Sequence, residues 1–307
     1  MQAAFISHSD CGRHDTGWGH PEHVGRLRAI TRALRNDPDL FQAVAQIEGR
    51  HATIEQLAGV HDMKYLEGVR EICEAGGGRL DTDTVVSEGS WDAAIAGAGS
   101  AINAVDLAFD GVHLRSFVAV RPPGHHAVYD RSMGFCLVGN VAVAAHHART
   151  VRGADRVLIV DWDVHHGNGT QALVEADPGI HFVSMHQWPW YPGTGAAEDR
   201  GPRHTIWNVP MRAGLGRSDY VGALMKGVDA ATTEFQPDIV LISAGFDSLA
   251  GDPLGGFTLE IPDFEHLTDE LVSRADTWCG GRLVSVLEGG YAPDPVAAAA
   301  IAHLRRL

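Results

Sequence analysis

Short runs of apolar, largely β-branched residues recur along the chain, separated by longer stretches where apolar positions return every three or four residues. The runs at 3–7 (AAFIS), 116–120 (SFVAV), 157–161 (VLIVD), 181–185 (HFVSM), 239–244 (IVLISA) and 282–287 (RLVSVL) predict strands. The intervening periodicity predicts helices over 24–35, 54–58, 63–74, 91–109, 137–151, 219–235, 263–277 and 294–306. Strands this uniformly apolar are covered on both faces, so their alternation with helices predicts an α/β fold, a mostly parallel sheet sandwiched by helices. No internal repeat or low-complexity linker interrupts the pattern. The tracts at 74–80 (EAGGGRL) and 189–202 read as long loops within a single domain covering 1–307.

Five of these strands end in polar, ionisable residues where a simple turn would need only Gly, Asn or Pro. Strand 116–120 runs into RPPGHH, 157–161 into DWDVHHGNGT from its own last residue, and 181–185 into HQWPWYPG. Strand 239–244 runs into GFDSLAGDP and 282–287 into EGGY. Ligands of open α/β sheets bind beyond the carboxyl ends of the strands, so an active site is expected on that rim.

In extended chain, Asp161, Asp163 and His165 share a face while His166 points the other way. A carboxylate and an imidazole two residues apart suit zinc, iron(II) or a related divalent ion, and Asp247 is the natural third ligand. The bland reading, an Asp-capped turn, is weak beside so apolar a strand. The sequence HH occurs three times. His146–His147 lies in an Ala-rich helical stretch and reads as ordinary. His125–His126 follows two prolines and a glycine, a rigid turn able to aim both rings into one cavity as a coupled, proton-shuttling pair. Tyr291 offers a phenol to a developing oxyanion, against the commoner packing role of a Tyr after Gly-Gly. The amino-terminal set Cys11, His14, His20 and His23 has no tidy ligand spacing and reads as a substrate-rim loop rather than a second metal site.

Composition narrows the partners. With 24 basic and 39 acidic residues among 307, the net charge is −15, which disfavours nucleic acid and favours cationic substrates. No apolar stretch is long enough to span a bilayer. Four scattered cysteines without a CxxC pair, and no secretion signal, are the expectation for a cytoplasmic protein.

Taken together, RPPGHHA (121–127), DWDVHHGNGTQ (161–171), AGFDSLAGDPLGG (244–256) and LEGGY (287–291) resemble the zinc-dependent histone deacetylase superfamily. The second motif and GDPLGG resemble its class II branch and bacterial relatives. The likeness extends from GHPEH (19–23) to Tyr291. It implies an arginase-like fold, hydrolysis of an acetyl or short-acyl amide, and inhibition by hydroxamates. Residue by residue, it implies Asp163, His165 and Asp247 as ligands of zinc, with iron(II) as the alternative. His126 matches the general base and acid, His125 its electrostatic partner, and Tyr291 the transition-state tyrosine. Asp161 and Asn168 match the residues that orient the two histidines; class I relatives carry Asp at the second position. Asp161, Asp163, His165, Ser184 and Met185 match a structural potassium site. Gly134 matches the carbonyl that accepts the substrate N–H, Phe135 and Tyr191 the tunnel walls, and Arg26 the arginine below the site near the acetate exit. Leu254 replaces the carboxylate of polyamine-selective relatives and tilts the substrate toward acyl-lysine. An acetylpolyamine amidohydrolase and a catalytically silent acetyl-lysine binder stay open. A two-metal ureohydrolase is disfavoured because Ser248-Leu249 follows Asp247. Substrate identity and oligomeric state are not legible.

Overall fold

The computed structural model describes residues 2–307. Its strands are β1 (Ala4–Ser7), β2 (Ala45–Glu48), β3 (Gly77–Arg79), β4 (Val85–Ser87), β5 (Arg115–Val118), β6 (Val157–Asp161), β7 (Ile180–Gln187), β8 (Ile206–Met211), β9 (Ile239–Ala244) and β10 (Leu283–Leu287). Its α-helices are α1 (Gly25–Arg35), α2 (Pro38–Ala43), α3 (Ile54–Ala58), α4 (Met63–Glu74), α5 (Ser90–Phe109), α6 (Asn140–Thr150), α7 (Asn168–Val174), α8 (Arg217–Thr232), α9 (Ile261–Cys279) and α10 (Pro293–Arg306). Eight strands form one sheet in the order β2-β1-β5-β10-β9-β6-β7-β8, every pair parallel, and β3–β4 form a small antiparallel hairpin.

The central strands β6, β9 and β10 are buried at every position, as expected where helices cover both faces. Helices α5 and α6 pack on each other and on the strands, while α1, α10, α9 and α8 pack in succession elsewhere on the sheet. Among the described residues, no helix is long and apolar enough to cross a membrane.

All six predicted strands and all eight predicted helices are present, with ends shifted by at most three residues; the largest shifts are at the start of α6, Asn140 rather than 137, and at the end of α8, Thr232 rather than 235. Four strands and two helices were not predicted. β2 and β8 lie at the sheet edges and carry the mixed burial of edge strands, so they lack the continuous apolar run. Helix α2 is under two turns long, started by Pro38 and capped by Asp37, whose side chain accepts from the Leu40 N–H. Helix α7 begins inside the GNGT segment, which its glycines and asparagine disguise as a loop.

Register levels the strand ends. Asp161 of β6 pairs with Ser184 of β7 and Ser243 of β9, and Leu287 of β10 pairs with Ala244 of β9. The loops after β5, β10, β9, β6 and β7, five adjacent strands, therefore emerge side by side.

Candidate active site

Three ligand-type side chains meet where those loops converge. His165 Nδ1 lies 3.0 Å from Asp163 Oδ1 and 3.1 Å from Asp247 Oδ2, and all three residues are buried. Their remaining oxygens are held by main chain: Gly289 N–H donates to Asp163 Oδ2 at 2.8 Å, and Val164 N–H to Asp247 Oδ1 at 2.8 Å. Gly289 has to be glycine, because a Cβ there would come within 2.1 Å of Asp247 Oδ2.

Two fully buried carboxylates sharing one imidazole leave negative charge uncompensated. Burial and Asp163 push Asp247 up to about 7. Burial opposes a charge on His165, yet the two carboxylates raise it to about 10. The trio thus calls for a cation, and its borderline oxygen and nitrogen donors suit a divalent metal. One other such group exists among the described residues, His8, Asp10 and His51 near the surface. There His8 Nδ1 already accepts the Asp10 N–H. Beside the buried trio, the main-chain carbonyls of Asp163 and His165 accept no hydrogen bond among the described residues, so they are free for a monovalent cation. Ser184 is Asp161's strand partner, with its Oγ 3.1 Å from His186 Nδ1, and Met185 follows it, buried.

The histidine pair stands next to the trio, with ring centroids 4.0 Å apart. His125 Nδ1 lies 3.0 Å from Asp161 Oδ2, and His126 Nδ1 lies 2.7 Å from Asn168 Oδ1. Asn168 Nδ2 faces Met133 Sδ at 3.5 Å, which leaves its oxygen toward His126. The Nδ1 proton of His126 is then donated to Asn168, and Nε2 keeps its lone pair. Burial disfavours charge on both rings. Asp163 and Asp161 override it at His125, raising it well above 6.5, whereas His125 and His165 reinforce it at His126, driving it well below. One ring is held charged and its neighbour neutral.

A cavity of about 220 Å³ reaches this floor, lined by Asp83, Phe135, Trp190, Tyr191, Leu254 and Tyr291 among others. Tyr191 meets His126 edge-on at 5.1 Å between centroids, and Phe135 meets Tyr291 at 5.8 Å. Gly134 and Phe135 both take positive φ, 56° and 67°, and a Cβ on Gly134 would strike the His126 ring at 2.3 Å. Tyr291 is fixed through its N–H, which donates to Asp252 Oδ2 at 2.7 Å. Burial and Asp247 keep its phenol protonated. Arg26 lies 5.0 Å from the Tyr291 ring centroid and donates to Glu22 and to the carbonyls of Gly290 and Glu288.

Of the residues expected at the site, His126, Gly134, Phe135, His165, Tyr191, Leu254 and Tyr291 line this cavity, and Asp163, Asp247, His125, Asn168 and Arg26 lie against them. His147 instead pairs with Asp106, and His14 with Ser90 and Glu22. His20 packs edge-on to Phe135, as a rim-loop residue should. Five neighbours went unrecognised. Glu288, within EGGY, accepts the N–H groups of Gly124 at 2.6 Å and His125 at 3.1 Å through one oxygen. Asp83 and Thr84 support the backbone of Gly134 and Phe135. Asp252 holds Tyr291, and Trp190 lines the cavity. Glu288 and Asp252 sat inside quoted motifs; no local signal marked Asp83.

The chain is similar to known proteins over nearly its whole length. A family profile described as "Histone deacetylase domain" matches residues 20–307. A histone deacetylase-like amidohydrolase of Pseudomonas aeruginosa is 37% identical, the alignment covering 94% of this chain and 77% of that protein. The human polyamine deacetylase HDAC10 is 36% identical, covering 95% of this chain and 46% of that one. The crystal structure of the HDA15 HD domain superposes with a TM-score of 0.93 at 36% identity, covering 99% of this chain and 87% of that one. The chain belongs to the histone deacetylase family and has its arginase/deacetylase fold.

Proposed function

We propose that residues 1–307 form one catalytic domain, a zinc-dependent amidohydrolase that removes acetyl or other short acyl groups from the side-chain amine of acyl-lysine and releases the acid. One observation carries this reading: His165 of a buried Asp-His-Asp trio, His126 of a histidine pair fixed by Asp161 and Asn168, and a protonated Tyr291 line one narrow cavity.

Asp163, His165 and Asp247 would hold the zinc, or iron(II) in its place. Bound there, the ion supplies Lewis acidity that polarises an acyl carbonyl and acidifies water. Asp161, Asp163, His165, Ser184 and Met185 would hold a structural potassium ion. His126, neutral with Nε2 free, takes the proton of the attacking water and returns it to the leaving amine. Asn168 fixes its tautomer. His125, held charged by Asp161, supplies a fixed positive charge beside the reacting centre. Tyr291 donates from its phenol to the developing oxyanion. The Gly134 carbonyl accepts the substrate N–H, while Phe135, Tyr191 and Leu254 enclose the aliphatic chain. Arg26 braces the Tyr291 segment from below.

A second reading, acetylpolyamine hydrolysis, is favoured by the Asp83 carboxylate on the cavity wall, which suits a substrate with a second ammonium. Turnover of acetyl-lysine peptide, acetylspermidine and acetylputrescine, with metal analysis of the same sample, separates the two. No turnover of any acyl amide by metal-replete protein would leave only the binding role. A cytoplasmic location accompanies the proposal.

A further inference from the structure

His166 belongs to the metal-bearing turn, yet no step above uses it. It is buried, and its ring lies against His186 with centroids 4.6 Å apart. Its neighbours define the role of each nitrogen. Gln171 Nε2 donates to Asp199 Oδ2 at 2.8 Å, which turns Gln171 Oε1 toward His166 Nε2 at 3.0 Å. An amide oxygen only accepts, so the His166 proton sits on Nε2 and Nδ1 offers a lone pair. That lone pair faces Thr194 Oγ1 at 2.8 Å, making the threonine hydroxyl the donor.

His186 makes a parallel tie one residue further on. Its Nε2 donates to the Gly195 carbonyl at 2.9 Å, and its Nδ1 accepts from the Ser184 hydroxyl. Gly195 lies directly on both rings at φ 94°; a Cβ there would come within 2.4 Å of His186 and 2.7 Å of His166. The loop fastened in this way carries the cavity wall. At its start Trp188 N–H donates to the Met211 carbonyl at 2.7 Å, and midway Trp190 Nε1 donates to the Leu254 carbonyl at 2.9 Å. Its far end is tied through Thr194 and Gly195. Tyr191 lies between these ties, half-exposed and touching His126 and His165 edge-on, so the loop backbone decides where its ring stands.

We propose that His166 and His186 are positioning residues: a double latch on Thr194 and Gly195 that holds Tyr191 as a wall of the cavity and sets how tightly the substrate's aliphatic chain is gripped. The inference rests on the acyl-amide reading for its choice of ligands. Thr194→Val removes the donor and leaves the metal trio untouched, and Thr194→Ser keeps it. The probes are acetohydroxamate, which has no chain, and a hydroxamate on a six-carbon, aryl-capped chain, with Kd measured by calorimetry alongside KM and kcat on an acetyl-lysine peptide.

In Thr194→Val the long-chain Kd and KM rise about five-fold, the scale of one neutral hydrogen bond. The acetohydroxamate Kd and kcat stay within about two-fold, and Thr194→Ser matches the wild type. A long-chain Kd unchanged in Thr194→Val overturns the latch. So does an equal loss for both hydroxamates, or a Ser variant no better than Val. Wild-type protein that binds hydroxamates but hydrolyses no acyl amide would defeat the proposed function, and the latch would still be decided by the two Kd values.

Discussion

Substituting Glu22 by Gln removes the one carboxylate beneath Tyr291 that joins two buried guanidiniums. Arg121 binds it twice, at 2.6 and 2.7 Å, and Arg26 at 3.0 Å, with all three side chains at 0% exposure. Burial alone would raise the Glu22 carboxyl, but Arg121 and Arg26 outweigh it and hold it at about 2, against 4.5 ordinarily. At about 1.4 kcal/mol for each pH unit, that lowering is worth about 3 kcal/mol of stability. Because the folded value is depressed, the contribution is complete above pH 4.5 and is lost as pH falls from there toward 2. Gln cannot ionise and leaves the guanidiniums without their counter-charge, so Glu22→Gln should lose about 3–5 kcal/mol at pH 7. Its deficit against the wild type should shrink by about 2 kcal/mol on going to pH 3. Urea denaturation at pH 7, 5, 4 and 3 measures both, with the two proteins chelated throughout so that metal loss in acid does not enter. A variant within 1 kcal/mol of the wild type at pH 7, or a deficit the same at pH 3, refutes the reasoning.

Tyr291→Phe keeps the shape of the cavity and removes only the phenol, so kcat on an acyl-lysine substrate should fall about 100-fold with metal content unchanged; undiminished turnover ends its assigned role. Glu288→Met leaves the Gly124 and His125 N–H groups unpaired, at about 1–3 kcal/mol each, and loosens the turn bearing His126. Glu288→Gln places an amide oxygen where one oxygen now accepts both bonds, so it should recover most of the kcat that the Met variant loses. Chelation should lower Tm, because the buried carboxylates of Asp163 and Asp247 lose their counter-ion. Zinc at 1,000 times its Kd should restore about 4 kcal/mol, and a Tm indifferent to both treatments contradicts the metal site.

Residues that sit on one strand or one turn were legible from the chain itself. The apolar runs of β6, β9 and β10 announce a buried parallel sheet, and the period of two places Asp163 and His165 together. The turn does aim both there, while His166 goes the other way to Thr194 and Gln171. The rigid RPPG turn likewise announced the His125–His126 pair, and the Ala-rich setting of His147 marked it as ordinary.

The rest required the sheet. Asp247 lies more than eighty residues from its metal-site partners, and only the β6–β9 register puts it 3.1 Å from His165. Glu288, Asp252 and Asp83 each hold a backbone N–H group of another loop, so even where they lie inside a motif their roles depend on the tertiary structure. Edge strands β2 and β8 escaped because polar residues and Pro210 interrupt them and they are only partly buried, so neither shows a continuous apolar run. Local sequence determines which face a side chain takes, since that depends on dihedral periodicity alone. Which side chains then share a cavity depends on strand order and register, and those are settled by packing contacts between segments far apart in the chain.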